Sequence, residues 1–145
     1  GGGSAGDVLE GGVGNDLITG AAGDDQLTGG AGKDVLTGGA GNDRFVYLAA
    51  NDSIFGSNAD RIADLSLGDI VDLSAIDANA GTAGANEAFT RVASFTGVAG
   101  ELTLAFDAGS NTSTLRGDTN GDGAADFMIT FTGDVAPALT ASWVL

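Results

Sequence analysis

The chain has 145 residues, 43% of them apolar and 26 of them glycine, which suffices for one domain or two small packed subdomains. Twenty acidic residues against five basic ones give a formal net charge of −15, which disfavours nucleic acids and anionic membrane surfaces as partners. Because the chain contains neither histidine nor cysteine, it cannot form a Ser-His-Asp triad, a thiolate nucleophile, a disulfide or a Cys/His zinc site.

The sequence also lacks the patterns that direct or anchor proteins in membranes. There is no apolar run of about 18 residues, so we expect no membrane insertion. No basic segment precedes an apolar stretch at the N-terminus, so no N-terminal secretory signal peptide is predicted. The start at Gly1, inside a glycine-rich pattern and without Met, predicts that the chain is a fragment or a processed piece.

Residues 2–46 consist of five consecutive nonapeptides: GGSAGDVLE, GGVGNDLIT, GAAGDDQLT, GGAGKDVLT and GGAGNDRFV. The sixth position of every unit is an aspartate: Asp7, Asp16, Asp25, Asp34 and Asp43. The eighth position is always a large apolar residue: Leu9, Ile18, Leu27, Leu36 and Phe45. A degenerate sixth unit over 47–55 keeps the register with Asp52 and Ile54. We expect the register to end near residue 55, because Arg61 would take the next aspartate position.

Each nonapeptide is predicted to form a loop followed by a short strand. The first six residues are rich in Gly, Asn and Asp, which tolerate the positive φ angles of tight turns. The last three residues place the apolar eighth position between two outward ones, which is the alternation of a strand. Such a short strand is not stable alone, so successive copies must stack about 4.8 Å apart and merge their apolar residues into one core.

The repeat G-G-x-G-x-D-x-U-x resembles the calcium-binding nonapeptide of RTX β-rolls, and consecutive in-register copies make the resemblance specific. Two residues depart from the pattern, Ala5 and Ala21, each replacing a glycine. The resemblance implies an all-β fold, a right-handed parallel β-roll in which two nonapeptides complete one coil. Each loop then stacks on the loop two units away, with Asp7, Asp25 and Asp43 on one side and Asp16, Asp34 and Asp52 on the other.

Carboxylates stacked in this way predict a bound cation. At about 4.8 Å they repel one another strongly at reduced dielectric, and a hard cation converts that repulsion into a bond between coils. Ca²⁺ accepts six to eight oxygens in loose geometry, whereas Mg²⁺ demands tight octahedra and transition metals favour His or Cys. The stacked pairs 7/25, 25/43, 16/34 and 34/52 therefore predict about four or more Ca²⁺ ions. Plain turn chemistry with solvated aspartates is the alternative.

The predicted metal ligands are the repeat aspartates and the backbone carbonyls of loop glycines. They comprise Asp7, Asp16, Asp25, Asp34, Asp43 and Asp52, with Gly12, Gly14, Gly23, Gly30, Gly32, Gly39 and Gly41. Without metal, charge repulsion and glycine entropy should leave 1–55 unfolded, so that metal binding supplies folding free energy. Extracellular calcium modules bind at about 10⁻⁴–10⁻³ M, so such sites would fill outside the cell.

Beyond residue 56 the composition changes and period-two apolar patterns predict an antiparallel sheet or sandwich. The predicted strands are 60–66, 69–73, 101–106, 112–116, 126–132 and 139–144. A polar loop is predicted over 77–88. The predicted aromatic core consists of Phe89, Phe95, Phe106, Phe127, Phe131 and Trp143.

The order of four segments resembles the C-terminal domain of serralysin-type secreted metallopeptidases: GGAGNDRFVY, DRIADLSLGDIVDLSAIDAN, ASFTGVAGELTL and LRGDTNGDGAADFMITFTG. This resemblance implies an RTX β-roll over 1–55 and a β-rich capping and secretion-signal region over 56–145. It also implies a secreted, extracellular protein, a type I secretion machinery that reads the C-terminus, and a zinc metallopeptidase domain upstream. The end of the chain departs from the family pattern, because no acidic residue adjoins the final apolar residues 143–145.

Two acidic segments beyond the roll each have two interpretations. The family resemblance implies that Asp60 or Asp64 closes the last calcium site, and solvated strand-end acids are the alternative. Segment 118–126 (DTNGDGAAD) has oxygens at EF-hand positions 1, 3, 5 and 9 and glycine at 6, but Ile129 stands where the bidentate Glu belongs. Its Asn-Gly and Asp-Gly dipeptides also predict a β-hairpin turn.

Three functions are therefore open. The first is a calcium-dependent folding and secretion module without catalysis, since the H-E-x-x-H helix of a zinc protease requires histidine. The second is a glycosidase with a carboxylate pair, although the repeat already accounts for the best acid pairs. The third is a carbohydrate-binding accessory module, since similar rolls occur beside alginate epimerases. The basic residues are scattered along the sequence, which argues against the third: Lys33, Arg44, Arg61, Arg91 and Arg116.

Overall fold

The fold is built almost entirely from short strands, described here in a computed structural model over residues 1–82, 87–139 and 143–144. The repeat region forms β1 (Val8–Val13), β2 (Leu17–Ala22), β3 (Gln26–Ala31), β4 (Val35–Ala40) and β5 (Arg44–Val46). The remainder forms β6 (Asp60–Ile62), β7 (Ile70–Asp72), β8 (Thr90–Arg91), β9 (Glu101–Asp107), β10 (Thr112–Asp118), β11 (Phe127–Thr132) and β12 (Trp143–Val144). A 3-10 turn at Ala50–Asp52 and the helix α1 (Ala136–Leu139) complete the elements, and neither has the length that a bilayer-spanning helix needs.

Successive repeat strands alternate between two sheets, as expected for a β-roll. The first sheet has the order β1-β3-β5-β7-β12, and the second begins with β2-β4-β6. Neighbouring strands within these stacks are parallel, and their register pairs residues one coil apart, for example Leu9 with Leu27 and Ile18 with Leu36. The predicted all-β class and parallel roll are therefore confirmed.

The apolar eighth positions point between the two sheets and form the core of the roll. Leu27, Leu36 and Phe45 are fully buried, and Ile18 nearly so. Residues flanking these positions, such as Leu17 and Val35, remain more exposed, which is the alternation that the pattern predicts. Strands β1 to β4 are longer than predicted, because each continues into the first three residues of the next nonapeptide, whereas β5 has the predicted three residues.

The coil geometry continues past residue 55, where the sequence pattern was expected to end. After β5 the chain makes an excursion over 48–59 and then returns to the roll, where β6 pairs with β4 and β7 pairs with β5. Ile62 and Val71 take the buried eighth positions in these two strands. The predicted unit over 47–55 is therefore not a coil of the roll, and Ile54 is exposed.

The described C-terminal strands extend the sheets of the roll rather than forming a separate sandwich: β8 to β11 extend one sheet and β12 extends the other. Strand β11 pairs in parallel with β6, and the antiparallel strands β10 and β9 follow it. The resulting sheet has the order β2-β4-β6-β11-β10-β9-β8. One continuous hydrophobic cluster runs from Ile18 in the roll to Leu139 in α1.

The predicted aromatic core is partly correct. Phe89, Phe127 and Phe131 are buried, and Phe89 and Phe127 make an edge-to-face contact with ring centroids 5.7 Å apart. Phe106 is 42% exposed, because it lies near the outer end of β9, beyond the core. The Trp143 side chain and part of the loop 77–88 lie outside the described residues. Of the predicted strand 139–144, Leu139 ends α1, residues 143–144 form β12, and residues 140–142 lie outside the described part of the chain.

Candidate metal centre

Left-handed backbone at two positions shapes four loops of the roll, those of the units that begin at residues 11, 20, 29 and 38. The second position of the unit has a positive φ at Gly12, Ala21, Gly30 and Gly39. The fourth position has one at Gly14, Gly23, Gly32 and Gly41. This conformation is open to glycine but costs an L-residue about 1–2 kcal/mol, so the loop requires glycine at both positions. Ala21, with a φ of 89°, is the strained exception.

The aspartates at the sixth position form two ladders, one on each side of the roll. In every step, the backbone N–H of one aspartate donates to Oδ1 of the aspartate one coil further on. The first ladder has the steps 7/25, 25/43 and 43/69, with donor–acceptor distances of 2.8, 3.0 and 2.9 Å. The second has the steps 16/34 and 34/60, both at 2.8 Å. The stacking of loops two units apart is thus realised through one oxygen of each carboxylate.

The other carboxylate oxygen, Oδ2, is buried without a hydrogen-bond partner at five described residues: Asp16, Asp25, Asp34, Asp43 and Asp60. Buried polar atoms in folded proteins are almost always paired, and an unpaired carboxylate oxygen is especially unfavourable. The same unpaired Oδ2 atom recurs at the same place in successive coils. This recurrence indicates that each oxygen is arranged for a positively charged ligand.

Backbone oxygens approach the same places. A Cβ added to Gly11 would lie 2.7 Å from Asp16 Oδ2 and 2.6 Å from the carbonyl oxygen of Gly29 in the next coil. Equivalent overlaps with the unit's own aspartate and with the next coil occur at Gly20. The first position of the unit is therefore glycine because a carboxylate and a carbonyl oxygen converge beside its Cα.

Carbonyls at the second and fourth positions also point towards the neighbouring coil. A Cβ on Gly30 or Gly32 would overlap the carbonyl oxygen of Gly12 or Gly14, respectively. Gly41 has the same relation to Gly23. The ligand role of the loop carbonyls remains a prediction for all seven glycines: Gly12, Gly14, Gly23, Gly30, Gly32, Gly39 and Gly41.

The predicted stacking of Asp52 on Asp34 is wrong. Asp34 donates to Asp60, 26 residues away instead of 18, because the excursion over 48–59 inserts eight residues into the coil. The Asp52 carboxylate instead accepts the backbone N–H groups of Leu48 and Ala49 at 2.8 and 2.9 Å. Asp52 still lies close enough for its charge to raise the pKa of Asp34. A direct role of Asp52 at a metal remains a prediction.

Asp69 belongs to the first ladder and was not among the predicted residues. It is buried, and its Oδ2 accepts hydrogen bonds from the backbone N–H and the hydroxyl of Ser66 at 2.7 and 3.1 Å. A signal for it exists in the sequence, because Asp60 and Asp69 are nine residues apart, with Ile62 and Val71 two residues after each. The nonapeptide register resumes there after the insertion.

Asp60 and Asp64 contact the roll in different ways. Asp60 is fully buried, donates its backbone N–H to the Ser53 hydroxyl oxygen at 2.8 Å, and forms the end of the second ladder. Asp64 accepts the N–H groups of Gly38 and Gly39, both at 2.9 Å, one on each carboxylate oxygen. For Asp60 the interpretation as a solvated strand-end acid is therefore wrong.

The carboxylates of the second ladder are electrostatically strained in the absence of a cation. Burial raises the pKa of Asp60 from 3.8 to about 7, and the charge of Asp34 adds to this rise. Burial likewise raises the pKa of Asp34, against the lowering by the hydrogen bond from the Asp16 N–H. The fully buried Tyr47 has its pKa raised by burial, by the charges of Asp60 and Asp34, and by the interaction of its hydroxyl with the Asp60 carboxylate.

The donor set fits a hard cation. Among the described residues, no three acidic side chains group together as a metal cluster, so each site would combine one or two carboxylates with backbone carbonyls. Calcium accepts such mixtures of carboxylate and carbonyl oxygens. The chain has no His or Cys to favour a transition metal.

Segment 118–126 has a different arrangement. It connects the antiparallel strands β10 and β11, as the hairpin interpretation requires. Asp118 is fully buried, and its carboxylate accepts the N–H groups of Asn120, Gly121 and Gly123 at 3.2, 2.6 and 2.9 Å. Both oxygens of Asp126 also accept hydrogen bonds, from Thr119 and the Asn120 amide. These carboxylates are saturated by the loop itself.

Comparison with known proteins identifies relatives of the whole arrangement. Residues 4–141 match the family described as Peptidase M10 serralysin C terminal. The chain is 43% identical over 92 residues to a metallopeptidase, AprA, of Pseudomonas marginalis and 42% identical over 93 residues to the metalloprotease AprA of Pseudomonas entomophila. Each match covers 63% of this chain but only 18% of the relative.

Two solved structures resemble the fold. The AlgE6R2 subunit of a mannuronan C5-epimerase from Azotobacter vinelandii aligns with a TM-score of 0.68 at 24% identity, covering 98% of this chain and 91% of that one. The AlgE6R3 subunit of the same enzyme aligns with a TM-score of 0.58 at 27% identity, covering 97% and 78%. The first of these likenesses concerns the fold alone.

Proposed function

The chain belongs to the Peptidase M10 serralysin C-terminal family, and on that premise we propose that it is a calcium-binding module that folds when Ca²⁺ enters between its stacked loops. The observation that carries the proposal is the recurrence of a buried, unpartnered Oδ2 at five aspartates of the two ladders. Five ladder steps, 7/25, 25/43, 43/69, 16/34 and 34/60, suggest as many as five ions.

Calcium would change the electrostatics of the roll from repulsive to cohesive. Stacked carboxylates in a chain of net charge −15 oppose coil formation, and many of the loop residues are glycines with a high entropy of the unfolded state. A divalent ion shared by two coils offsets both effects, so its binding free energy becomes folding free energy. At the roughly 10⁻⁴–10⁻³ M affinity of extracellular calcium modules, the roll would stay unfolded in the cytosol and fold outside.

A role in export follows from this difference between compartments. We propose that the chain is the C-terminal, non-catalytic module of a secreted metallopeptidase, recognised through its C-terminus by a type I secretion machinery. The relatives are metalloproteases several times longer than this chain, which supports an upstream catalytic domain. The absence of histidine from this chain assigns any zinc chemistry to that domain.

The test of calcium-dependent folding is a titration of the purified chain followed by far-UV circular dichroism. We expect a largely unfolded spectrum in chelator and a β-rich spectrum in millimolar Ca²⁺, with little effect of equimolar Mg²⁺. Bound calcium, measured after equilibrium dialysis, should approach five ions per chain. Identical spectra with chelator and with calcium would reject the proposal.

The export role has its own test. A reporter protein fused upstream of the chain should reach the medium of cells that express a type I exporter, and deletion of residues 140–145 should abolish its export. Export that persists after this deletion would show that the C-terminus is not the recognised signal.

A second candidate function is the binding of an acidic polysaccharide. Both structural relatives are subunits of an enzyme that acts on mannuronan, and one of them is 27% identical to this chain. This candidate does not compete with calcium-dependent folding, because the metal would lie in the loops and a polysaccharide would need an open surface.

A further inference from the structure

Three of the five basic residues of this acidic chain lie on the outer surface of the long sheet β2-β4-β6-β11-β10-β9-β8, although they are far apart in sequence. Arg61 is in β6, Arg116 is in β10, and Lys33 lies in the loop just before β4. All three are exposed. The fold thus brings together basic side chains that are far apart in the sequence.

Strand register shows that these residues share one face. Val35, Arg61 and Thr130 are directly paired across β4, β6 and β11, and Thr130 is paired with Thr114 in β10. The neighbours of these residues along each strand, such as Ile62 and Ile129, are buried in the core. Since side chains alternate between the faces of a strand, the row from Val35 to Thr114 points outwards.

Two cavities lie side by side on this face. The first, of about 330 Å³, is lined by Lys33 and Arg61 together with Val35, Ser57, Ala59 and Thr130. The second, of about 310 Å³, is lined by Arg116, Asp107 and Phe106 with the hydroxyl residues Ser110, Thr112 and Thr114. The paired residues Thr130 and Thr114 connect them. Each has a volume typical of a small-molecule site.

The cations on this face are not neutralised by the protein. Within the described part of the chain, the only ion pair joins Arg44 to Asp72, on the opposite sheet. The Arg116 guanidinium instead lies 5.9 Å from the ring centroid of Phe55, which is itself 50% exposed. Asp107 lines the same cavity as Arg116, but its carboxylate accepts hydrogen bonds from the Gly109 N–H and the Ser110 hydroxyl. Four-fifths of the charged side chains are acidic, so cations that cluster without forming an ion pair indicate a place for an external anion.

We propose that the outer face formed by β4, β6, β11, β10 and β9 binds an acidic oligosaccharide, with carboxylates on Lys33/Arg61 and on Arg116. Arg61 and Arg116 lie two strands apart, about 10 Å across the sheet, so an extended chain can reach both. The threonine and serine hydroxyls between them match a hydroxyl-rich ligand, and exposed Phe55 and Phe106 offer apolar surface for sugar rings. This inference rests on the second candidate function and is independent of calcium-dependent folding.

The low density of positive charge favours a sugar acid over a nucleic acid. Nucleic acids carry closely spaced phosphates and are bound by many basic contacts, whereas this face offers three cations on a chain of net charge −15. Widely spaced carboxylates separated by hydroxyl groups suit three separated cations better.

The test is calorimetric titration of the calcium-loaded chain with an oligomannuronate of about eight sugars, using a neutral maltooligosaccharide of the same length as the comparison. The variants are the double substitution Lys33→Gln/Arg61→Gln and the single substitution Arg116→Gln. Arg91→Gln is the matched control, because Arg91 is an exposed cation in β8 that lines neither cavity. Folding of each variant in calcium is checked by circular dichroism.

We expect saturable binding of oligomannuronate and none of the neutral sugar. Affinity should fall about tenfold or more in both cavity variants and stay unchanged in Arg91→Gln, as for the loss of a charge-assisted hydrogen bond. Absence of binding by the folded chain, equal weakening by Arg91→Gln, or tighter binding of single-stranded DNA would each overturn the proposal. If the double variant does not fold, because Lys33 and Arg61 adjoin ladder aspartates, Arg116→Gln decides. Failure of calcium-dependent folding would instead be seen by circular dichroism alone.

Discussion

The roll loops and the hairpin loop 118–126 have nearly the same chemistry and opposite outcomes. Both are rich in Asp, Asn and Gly, and both contain positive-φ glycines such as Gly32 and Gly121. In the hairpin, the loop folds back on itself and its own N–H groups saturate Asp118 and Asp126. In the roll, four carboxylates each receive one N–H from the adjacent coil and keep the second oxygen free of hydrogen bonds: Asp25, Asp34, Asp43 and Asp60. An aspartate therefore keeps an oxygen for a cation when its N–H donor comes from another coil, and not when its donors come from its own turn.

Neutralising one aspartate in each region would test this difference. The substitution in the roll has the largest expected effect of all the variants. Asp25→Asn keeps an oxygen to accept the Asp7 N–H but removes charge from the middle of a ladder. We expect the calcium concentration at the folding midpoint to rise roughly tenfold, since affinity depends on the number of charged ligands. Circular dichroism during calcium titration gives the midpoint.

The matched control is Asp122→Asn in the hairpin loop. Asp122 is exposed and accepts only the N–H of Ala124 at 2.8 Å, among the hydrogen bonds of the described residues. The calcium concentration at the folding midpoint of Asp122→Asn should stay within about twofold of the wild-type value. A shift as large as that of Asp25→Asn would mean that overall charge, and not the ladder, controls folding.

The pH dependence of calcium binding should test whether a buried ladder carboxylate takes part in it. The pKa of Asp60 is about 7 in the calcium-free fold against 3.8 as its ordinary value, so this fold holds the proton more tightly than the unfolded chain. Ionisation between about pH 4 and 7 therefore destabilises the calcium-free fold, and calcium binding needs the ionised form. Calcium affinity of the preformed fold, measured by titration calorimetry, should rise up to about pH 7 and then level off, whereas binding coupled to folding of an unfolded chain should level off near the ordinary pKa of 3.8.

Asp60→Asn supplies the reference for that profile. Because it removes the carboxyl group whose pKa is about 7, the change in affinity close to pH 7 should disappear. A profile that keeps its step near pH 7 in this variant would contradict the assignment to Asp60.

The smallest predicted effect concerns backbone strain in the roll. Ala21 has a φ of 89°, whereas the equivalent positions of the neighbouring units are glycines. Ala21→Gly should stabilise the calcium-loaded chain by about 1 kcal/mol, because a left-handed alanine costs more than the added entropy of glycine. Urea unfolding in excess calcium would measure the change.

A stability change of the opposite sign is expected at Ala40, which follows Gly39, the partner of Ala21 in the next coil. Ala40 lies in β4 without a positive φ, so Ala40→Gly should destabilise the chain by about 0.5–1 kcal/mol. Equal shifts of the two variants in the same direction would show that strain at Ala21 is not relieved by glycine.

The nonapeptide periodicity was enough to determine the roll, its core positions and most ladder aspartates. It works because each unit is a nearly independent loop and strand, whose glycines, aspartate and apolar residue each have one local role. The regular 18-residue spacing between stacked loops follows directly from the repeat and holds from Asp7 to Asp43. Period-two apolar patterns predicted most of the strands beyond the roll, and the family resemblance predicted that they cap it.

Only the tertiary structure decided which residues complete the ladders and where the basic side chains meet. The excursion over 48–59 displaces Asp52 and brings Asp60 and Asp69 into the ladders. A local sequence pattern does not reveal how many inserted residues a coil can accommodate. Likewise, Arg61 and Arg116 come to one face through pairing of strands that are distant in sequence. Contacts between neighbouring units are encoded by the repeat, whereas contacts across long loops depend on the packing of the whole sheet.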